Sequence, residues 1–191
     1  MPVFTKHLKE ESELIRAGLD LFQAFHDDLQ SGKSILAEDL RIALYAMQVA
    51  LERSHLTKEE TFLYPALKNL ESNKVSFLEI EQVLKLSELD HEKNRTQLLE
   101  LRLCVDDQES HSSSSTIFGL HLAEFVAQIS SFLKNEETQL LSLADQILDS
   151  KEQKRLLDGA LKFEQAQGLE QLRDSRLIFN RLRTKRGMPA A

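Results

Sequence analysis

The chain has little of what interrupts helices. Its 191 residues include only 6 glycines and 3 prolines, while 41% are hydrophobic and 29% are charged. Leu, Glu, Lys, Gln and Ala are abundant instead, and this composition favours helices over strands. The length suits one domain, or one domain with an appendage, and is enough to bury a core.

Cysteine, excess basic charge and long apolar runs are also lacking. The single cysteine, Cys104, excludes a disulfide within the chain and fits a reducing compartment. A formal net charge of −7 disfavours a nucleic-acid partner, because phosphate binding needs a basic surface. No apolar run approaches the ~20 residues of a membrane-spanning helix, and no secretory signal opens the sequence. We therefore predict a cytoplasmic protein that binds neither nucleic acid nor membrane.

Hydrophobic periodicity predicts five helices. Apolar residues recur every three to four positions, which is typical of a helix with one buried face. Pro65 should kink or end the second helix near Tyr64, because proline cannot donate its backbone hydrogen bond. A polar, serine-rich linker is expected at 106–115 and a disordered tail at 184–191. The predicted helices cover about 3–30, 36–70, 77–103, 116–148 and 151–183.

Four long helices with short to moderate connections predict an all-α fold, an antiparallel four-helix bundle over residues 1–150. Residues 151–191 should form an additional C-terminal amphipathic helix and a tail. This helix would pack on the outside of the bundle or pair with a second copy to make a homodimer.

Each bundle helix carries a polar residue on the face that should point into the core. They are Ser12, His55 with Glu59, His91 and Glu136 on the first to fourth helices. His55 and Glu59 are about one turn apart and leave the same face. Buried carboxylates need a partner, and imidazole with carboxylate suits iron, manganese or zinc. One alternative is two hydrogen-bonded pairs, His55 with Glu59 and His91 with Glu136. Another is that the helix faces are rotated and some of these groups face solvent.

The order of these motifs over residues 5–148 resembles the hemerythrin-like (HHE cation-binding) family. His55 and Glu59, followed by the run at 63–67, match the family's second-helix motif. His91 with Arg95 matches its third helix, and Glu136 matches the carboxylate of its fourth. The resemblance implies a non-haem di-iron centre in which imidazoles hold the irons and the two carboxylates bridge them.

The chain departs from the family pattern at two positions. Ser12 and Phe132 stand where the family has histidines, so the ligand set is degenerate. Glu11 and Glu13, on either side of Ser12, are expected to point to other faces. The remaining histidines are expected at the surface or the edge of the core. They lie too far from Ser12 and Phe132 to replace the missing ligands, or they lie off the core-facing side of the helix. They are His7, His26, His111 and His121.

The resemblance leaves two functions open. The first is binding or sensing of O2, NO or peroxide by non-haem iron, in a mono- or di-iron site, through the reduced metal ligand set of His55, Glu59, His91 and Glu136. Manganese and zinc rank behind iron. The second is a metal-free bundle that serves as a protein-interaction or scaffold module. No nucleophile–base pair or phosphate-binding loop is found in the sequence, which leaves enzymatic activity uncertain.

Overall fold

The computed structural model describes residues 2–69, 76–107, 115–167 and 170–190. Within these ranges all regular structure is helical, which confirms the all-α class. Helices α2 (37–68) and α4 (115–147) each run continuously through wider π-helical turns. None of the described helices combines the length and hydropathy needed to cross a lipid bilayer. The other helices are α1 (Val3–Gln30), α3 (Phe77–Asp107), α5 (Ser150–Gln167) and α6 (Glu170–Lys185).

Pro65 does not break α2. A π-helical stretch, Glu59–Leu63, comes directly before it, and the α-helix resumes over Tyr64–Lys68. Proline lacks the N–H that would bond to the preceding turn, and its ring crowds the carbonyl four residues back. The wider π turn accommodates both effects, so the predicted kink or break appears as a local change of helix type.

Two predicted boundaries differ from the structure, and part of a third prediction falls on residues that the structure does not describe. Residues 106–107 and 115 belong to α3 and α4, and the rest of the predicted linker lies outside the described residues. The described parts of the predicted fifth helix are helical and form α5 and α6, and residues 168–169 between them lie outside the described residues. The tail is ordered through 190: Gly187 turns the chain at φ +70°, and Arg183 Nε donates to the carbonyl of Pro189 at 2.8 Å.

Two apolar clusters alternate along the helices. One joins the end of α1 to the start of α2, the end of α3 and the start of α4. The other joins the start of α1 to the end of α2, the start of α3 and the end of α4. A chain that meets itself in this way runs up and down, which fits the predicted antiparallel bundle. A layer of buried polar residues lies between the two clusters.

The C-terminal helices contribute to both clusters. Phe179 and Leu182 of α6 belong to the first, and Leu156 and Ala160 of α5 belong to the second. Phe179 packs so closely on Gly18 that a Cβ there would lie 2.7 Å from its ring. The segment after residue 150 therefore shares the core of the bundle. The domain boundary at 150 and the homodimer stay predictions.

Candidate metal centre

π-helical turns deliver three of the predicted ligands to the polar layer. His55 lies in the stretch Gln48–Leu56, Glu59 opens Glu59–Leu63, and Glu136 opens Glu136–Leu140. A π turn takes one more residue than an α turn, so it rotates the side chains that follow, and such turns are frequent at functional sites. The side chains of all three residues are buried.

The imidazole of His55 is surrounded by carboxylates. Its Nε2 lies 3.0 Å from Glu136 Oε2 and 4.0 Å from Glu59 Oε1. Its Nδ1 lies 3.5 Å from Glu11 Oε2. Three helices, α1, α2 and α4, thus direct acidic groups toward one ring.

His91 of α3 reaches the same layer from the other side. Its Nε2 lies 2.8 Å from Glu59 Oε2, and its Nδ1 lies 2.8 Å from Glu60 Oε1. The Tyr64 hydroxyl is 3.0 Å from Nε2, and the two rings stack with centroids 5.5 Å apart. Arg95 donates to both oxygens of Glu60, at 2.8 and 2.9 Å. These contacts fix the orientation of His91.

The pairing of histidines with carboxylates differs from the predicted alternative. The structure pairs His55 with Glu136 and His91 with Glu59, so the two pairs cross between helices. His55 and Glu59 do share a face of α2, but their side chains turn to different neighbours. Glu59 therefore links the two halves of the layer. We call His55, Glu59, His91 and Glu136 the candidate centre.

The two substituted positions supply no ligand atom to the candidate centre. The Ser12 hydroxyl donates to the carbonyl of Leu8 at 3.1 Å. The Phe132 ring packs edge-on against His55 and His91, with centroids 6.4 and 5.6 Å apart. Phe132 thus fills the space beside both imidazoles with hydrocarbon.

The sequence interpretation missed Glu11. It was expected to point away from the core, but only 6% of the residue is exposed. The Ser54 hydroxyl donates to its Oε1 at 2.9 Å. The signal was present in the sequence, because Glu11 lies three residues after Leu8 and four before Ile15, on the same apolar face.

Glu11 also belongs to a second polar group, which we call the lysine cluster: His7, Glu11, Lys58 and Glu164. Lys58 is fully buried, and its ammonium pairs with Glu11 Oε1 and Glu164 Oε1. His7 Nε2 lies 2.8 Å from the same Glu164 oxygen, at the edge of the core as predicted. None of Lys58, Glu60 and Glu164 was singled out from the sequence, because each becomes informative only through its partner.

The electrostatics of the layer favour added positive charge. Burial opposes charge on His55, but the carboxylates of Glu136 and Glu11 raise its pKa well above the usual value. Burial also opposes charge on His91, and the contacts with Glu59 and Glu60 raise its pKa. Burial raises the pKa of Glu136 to about 7 despite the neighbouring His55. A proton or a metal ion in this layer is therefore stabilised.

The residues present fit a metal ion. Ligand atoms of His55, Glu59 and Glu136 all lie within 4.8 Å of one another. Within the described residues, Glu59 Oε1 and Glu136 Oε1 are buried without a hydrogen-bond partner. An unsatisfied buried carboxylate oxygen costs about 1–3 kcal/mol or more, and a cation removes that cost. One imidazole with two carboxylates is a donor set typical of iron, manganese and zinc.

A surface cavity of about 240 Å³ opens between α3 and α4 and is lined by Phe132 and Glu136. Asp90 and Gln139 stand at the same cavity and make it partly polar. It offers a small molecule a path to the Glu136 side of the candidate centre.

Comparisons of the chain with protein-family models, curated proteins and solved structures found no match. The hemerythrin-like resemblance therefore rests on the motifs, and the chemistry rests on the geometry above.

Proposed function

We propose that the chain is an antiparallel four-helix bundle of hemerythrin-like design that holds a divalent transition metal ion, with iron as the expected metal. His55, Glu59 and Glu136 are the proposed ligands, and His91 supports Glu59 or joins them. The observation that carries the proposal is the convergence of three buried ligand residues within 4.8 Å. The oxygens Glu59 Oε1 and Glu136 Oε1 support it, because both are buried and neither has a hydrogen-bond partner among the described residues.

The proposed role is binding or sensing of a small molecule such as O2, NO or peroxide. Three protein ligands leave coordination positions open, which is what permits a metal to take an exogenous ligand. Phe132 and the two apolar clusters exclude water from the layer, and the cavity beside Glu136 admits a small molecule. Arg95 and Tyr64 hold His91 in place beside Glu59.

The test is metal content by elemental mass spectrometry on protein purified without a chelating resin. Wild-type protein should carry close to one or two ions per chain, and His55→Ala should lose them. His121→Ala is the matched control, since that side chain is 34% exposed and outside the candidate centre. Circular dichroism confirms that each variant is folded. Metal-free wild-type protein, even after anaerobic reconstitution with ferrous iron, would exclude the proposal.

A second candidate is a metal-free bundle that acts as a protein-interaction or scaffold module. Two observations favour it: Phe132 fills the space beside both imidazoles, and each histidine already has a carboxylate within 3.0 Å. In that case protons on the imidazoles supply the positive charge. A melting temperature that does not change on adding a chelator or ferrous iron would select this function.

A further inference from the structure

A groove on another face of the bundle lies between the first half of α2 and the second half of α3. It encloses about 490 Å³, within the range of roughly 300–1,000 Å³ found for small-molecule pockets. Its floor is apolar, because Leu44, Leu98 and Val105 are buried core residues that line it. Leu99 and Tyr45 continue the apolar surface at the rim, where they are 56% and 50% exposed.

Arginines surround this floor. Two come from α2 and two from α3: Arg41, Arg53, Arg95 and Arg102. Among the described residues that line the groove, only Glu52 and Asp106 are acidic. Positive charge thus prevails in the groove, although the whole chain carries a formal net charge of −7. We call it the arginine groove.

The acids of the groove occupy only some of these arginines. Arg41 lies 3.6 Å from Asp106, and Arg95 lies 4.0 Å from Glu52. Arg95 also donates to Glu60, which does not line the groove. The Arg53 guanidinium lies 6.0 Å from the centroid of the Tyr45 ring, a contact with the ring face that leaves its N–H donors available. Arg102 is exposed and has no ion pair to any residue that the structure describes. Arg53 and Arg102 can therefore receive an anion.

We propose that the arginine groove binds a medium-chain organic carboxylate. A guanidinium matches a carboxylate through paired, charge-assisted hydrogen bonds, so Arg53 and Arg102 hold the headgroup. The aliphatic chain lies along Leu44, Leu98 and Val105, where each buried methylene adds to the affinity. This site does not depend on the proposed metal centre, because no member of that centre lines the groove.

Isothermal titration with octanoate on the full chain tests the proposal. Octanoate should bind with one site per chain, and both 1-octanol and acetate should bind at least roughly tenfold more weakly, because each lacks one half of the ligand. Arg53→Ala and Arg102→Ala should each weaken octanoate binding by roughly tenfold, the value of one charge-assisted contact. Arg176→Ala, an exposed arginine on α6, is the matched control and should change nothing.

Three results would overturn the proposal. They are no heat of binding with octanoate on folded wild-type protein, equal affinity for 1-octanol and octanoate, and unchanged octanoate affinity in both arginine variants. The titrations are run on chelator-treated and untreated protein. Equal binding in both confirms that the site is independent of metal, so a failure of the metal proposal leaves this one standing.

Discussion

The lysine cluster and the candidate centre each contain a histidine with two carboxylates, and they differ in what balances the negative charge. Each brings a histidine and two carboxylates within 4.8 Å: His7 with Glu11 and Glu164, and His55 with Glu59 and Glu136. In the first, the buried ammonium of Lys58 pairs with both carboxylates. The second has no lysine or arginine against it among the described contacts.

The difference shows that ligand residues at a suitable spacing do not by themselves define a metal site. The lysine cluster has the geometry of one, but a side chain of the protein already supplies its cation. The candidate centre must take its positive charge from protons on the imidazoles or from an ion. The experiments below separate these cases, beginning with the largest expected effect.

Replacing Lys58 by Met should destabilise the protein by about 3–5 kcal/mol, because it leaves two buried carboxylates without their cation. Methionine is one heavy atom shorter than lysine and fills most of the volume of its aliphatic chain, so the main change is the loss of the ammonium. Urea unfolding followed by circular dichroism gives the free energy of unfolding. Lys68→Met is the control: that lysine pairs with Glu88 at the surface, 54% exposed, and should cost at most about 1 kcal/mol.

Zinc added to Lys58→Met extends the same experiment. If the ammonium occupies the place of an ion, the variant should regain stability with zinc through His7, Glu11 and Glu164. If the Lys58→Met protein is as stable as the Lys68→Met control, the Lys58 ammonium does not stabilise the two buried carboxylates.

Acid should weaken the metal-free protein through Glu11. Burial opposes its charge, but His55 and Lys58 outweigh burial and lower its pKa to about 2. A carboxylate with a lowered folded-state pKa stabilises the protein above its unfolded pKa, near 4.5, and that stability is lost as the pH falls from 4.5 to about 2. The loss is at most about 3 kcal/mol. Urea midpoints measured across this interval should fall in wild-type protein and fall less in Glu11→Gln.

The pH dependence of stability expected from Glu136 is opposite to that expected from Glu11. Burial raises its pKa to about 7, so the folded state binds a proton more tightly than the unfolded chain. Its contribution is present below pH 4.5 and is lost as the pH rises toward 7. Glu136→Gln should remove that dependence. The loss of stability at acid pH that Glu11 causes should remain in this variant. Identical pH profiles for the two variants would contradict the assignment.

Ferrous iron or zinc should stabilise the wild-type protein by about 2.7 kcal/mol at a concentration one hundred times its dissociation constant. The effect should disappear in Glu136→Gln, which loses one proposed ligand. Glu137→Gln is the matched control, since the neighbouring carboxylate pairs with Arg16 at 2.8 Å, away from the centre. Thermal unfolding under anaerobic conditions measures the shift, and equal shifts in both variants would remove Glu136 from the ligand set.

Tyr64→Phe should have the smallest effect, about 1 kcal/mol, because it removes one hydroxyl with hydrogen-bond contacts. That hydroxyl lies 2.7 Å from Ser87 Oγ and 3.0 Å from His91 Nε2. If His91 joins the metal ligands, the variant should also bind metal more weakly. Competition with a coloured chelator measures the affinity, and unchanged affinity would assign His91 to support of Glu59 alone.

The helices could be predicted from the sequence because the apolar residues of a buried helix face recur at a regular spacing along the chain. The bounds of α1, Val3–Gln30, follow directly from that spacing and from the Gly32 that comes after it.

The burial of the four residues of the candidate centre could be predicted, since a polar residue on an apolar face stands out, and their role as metal ligands stays a prediction. Their pairing could not be predicted, because it depends on side-chain direction after a π turn, and no residue pattern marks such a turn. Glu11 was missed for a different reason. It was judged by its position beside Ser12, whereas burial follows the spacing to Leu8 and Ile15.

The start of α1 has a consequence for how the chain is made. Its first amides, those of Phe4 and Thr5, donate to the side chain of Gln153 at 3.0 and 3.3 Å, across 149 and 148 positions of sequence. During synthesis at about 5–20 residues per second, these amides wait on the order of ten seconds for their acceptor. The first turn of α1 is therefore completed only after α5 has emerged from the ribosome, although α1 itself is synthesised before α5.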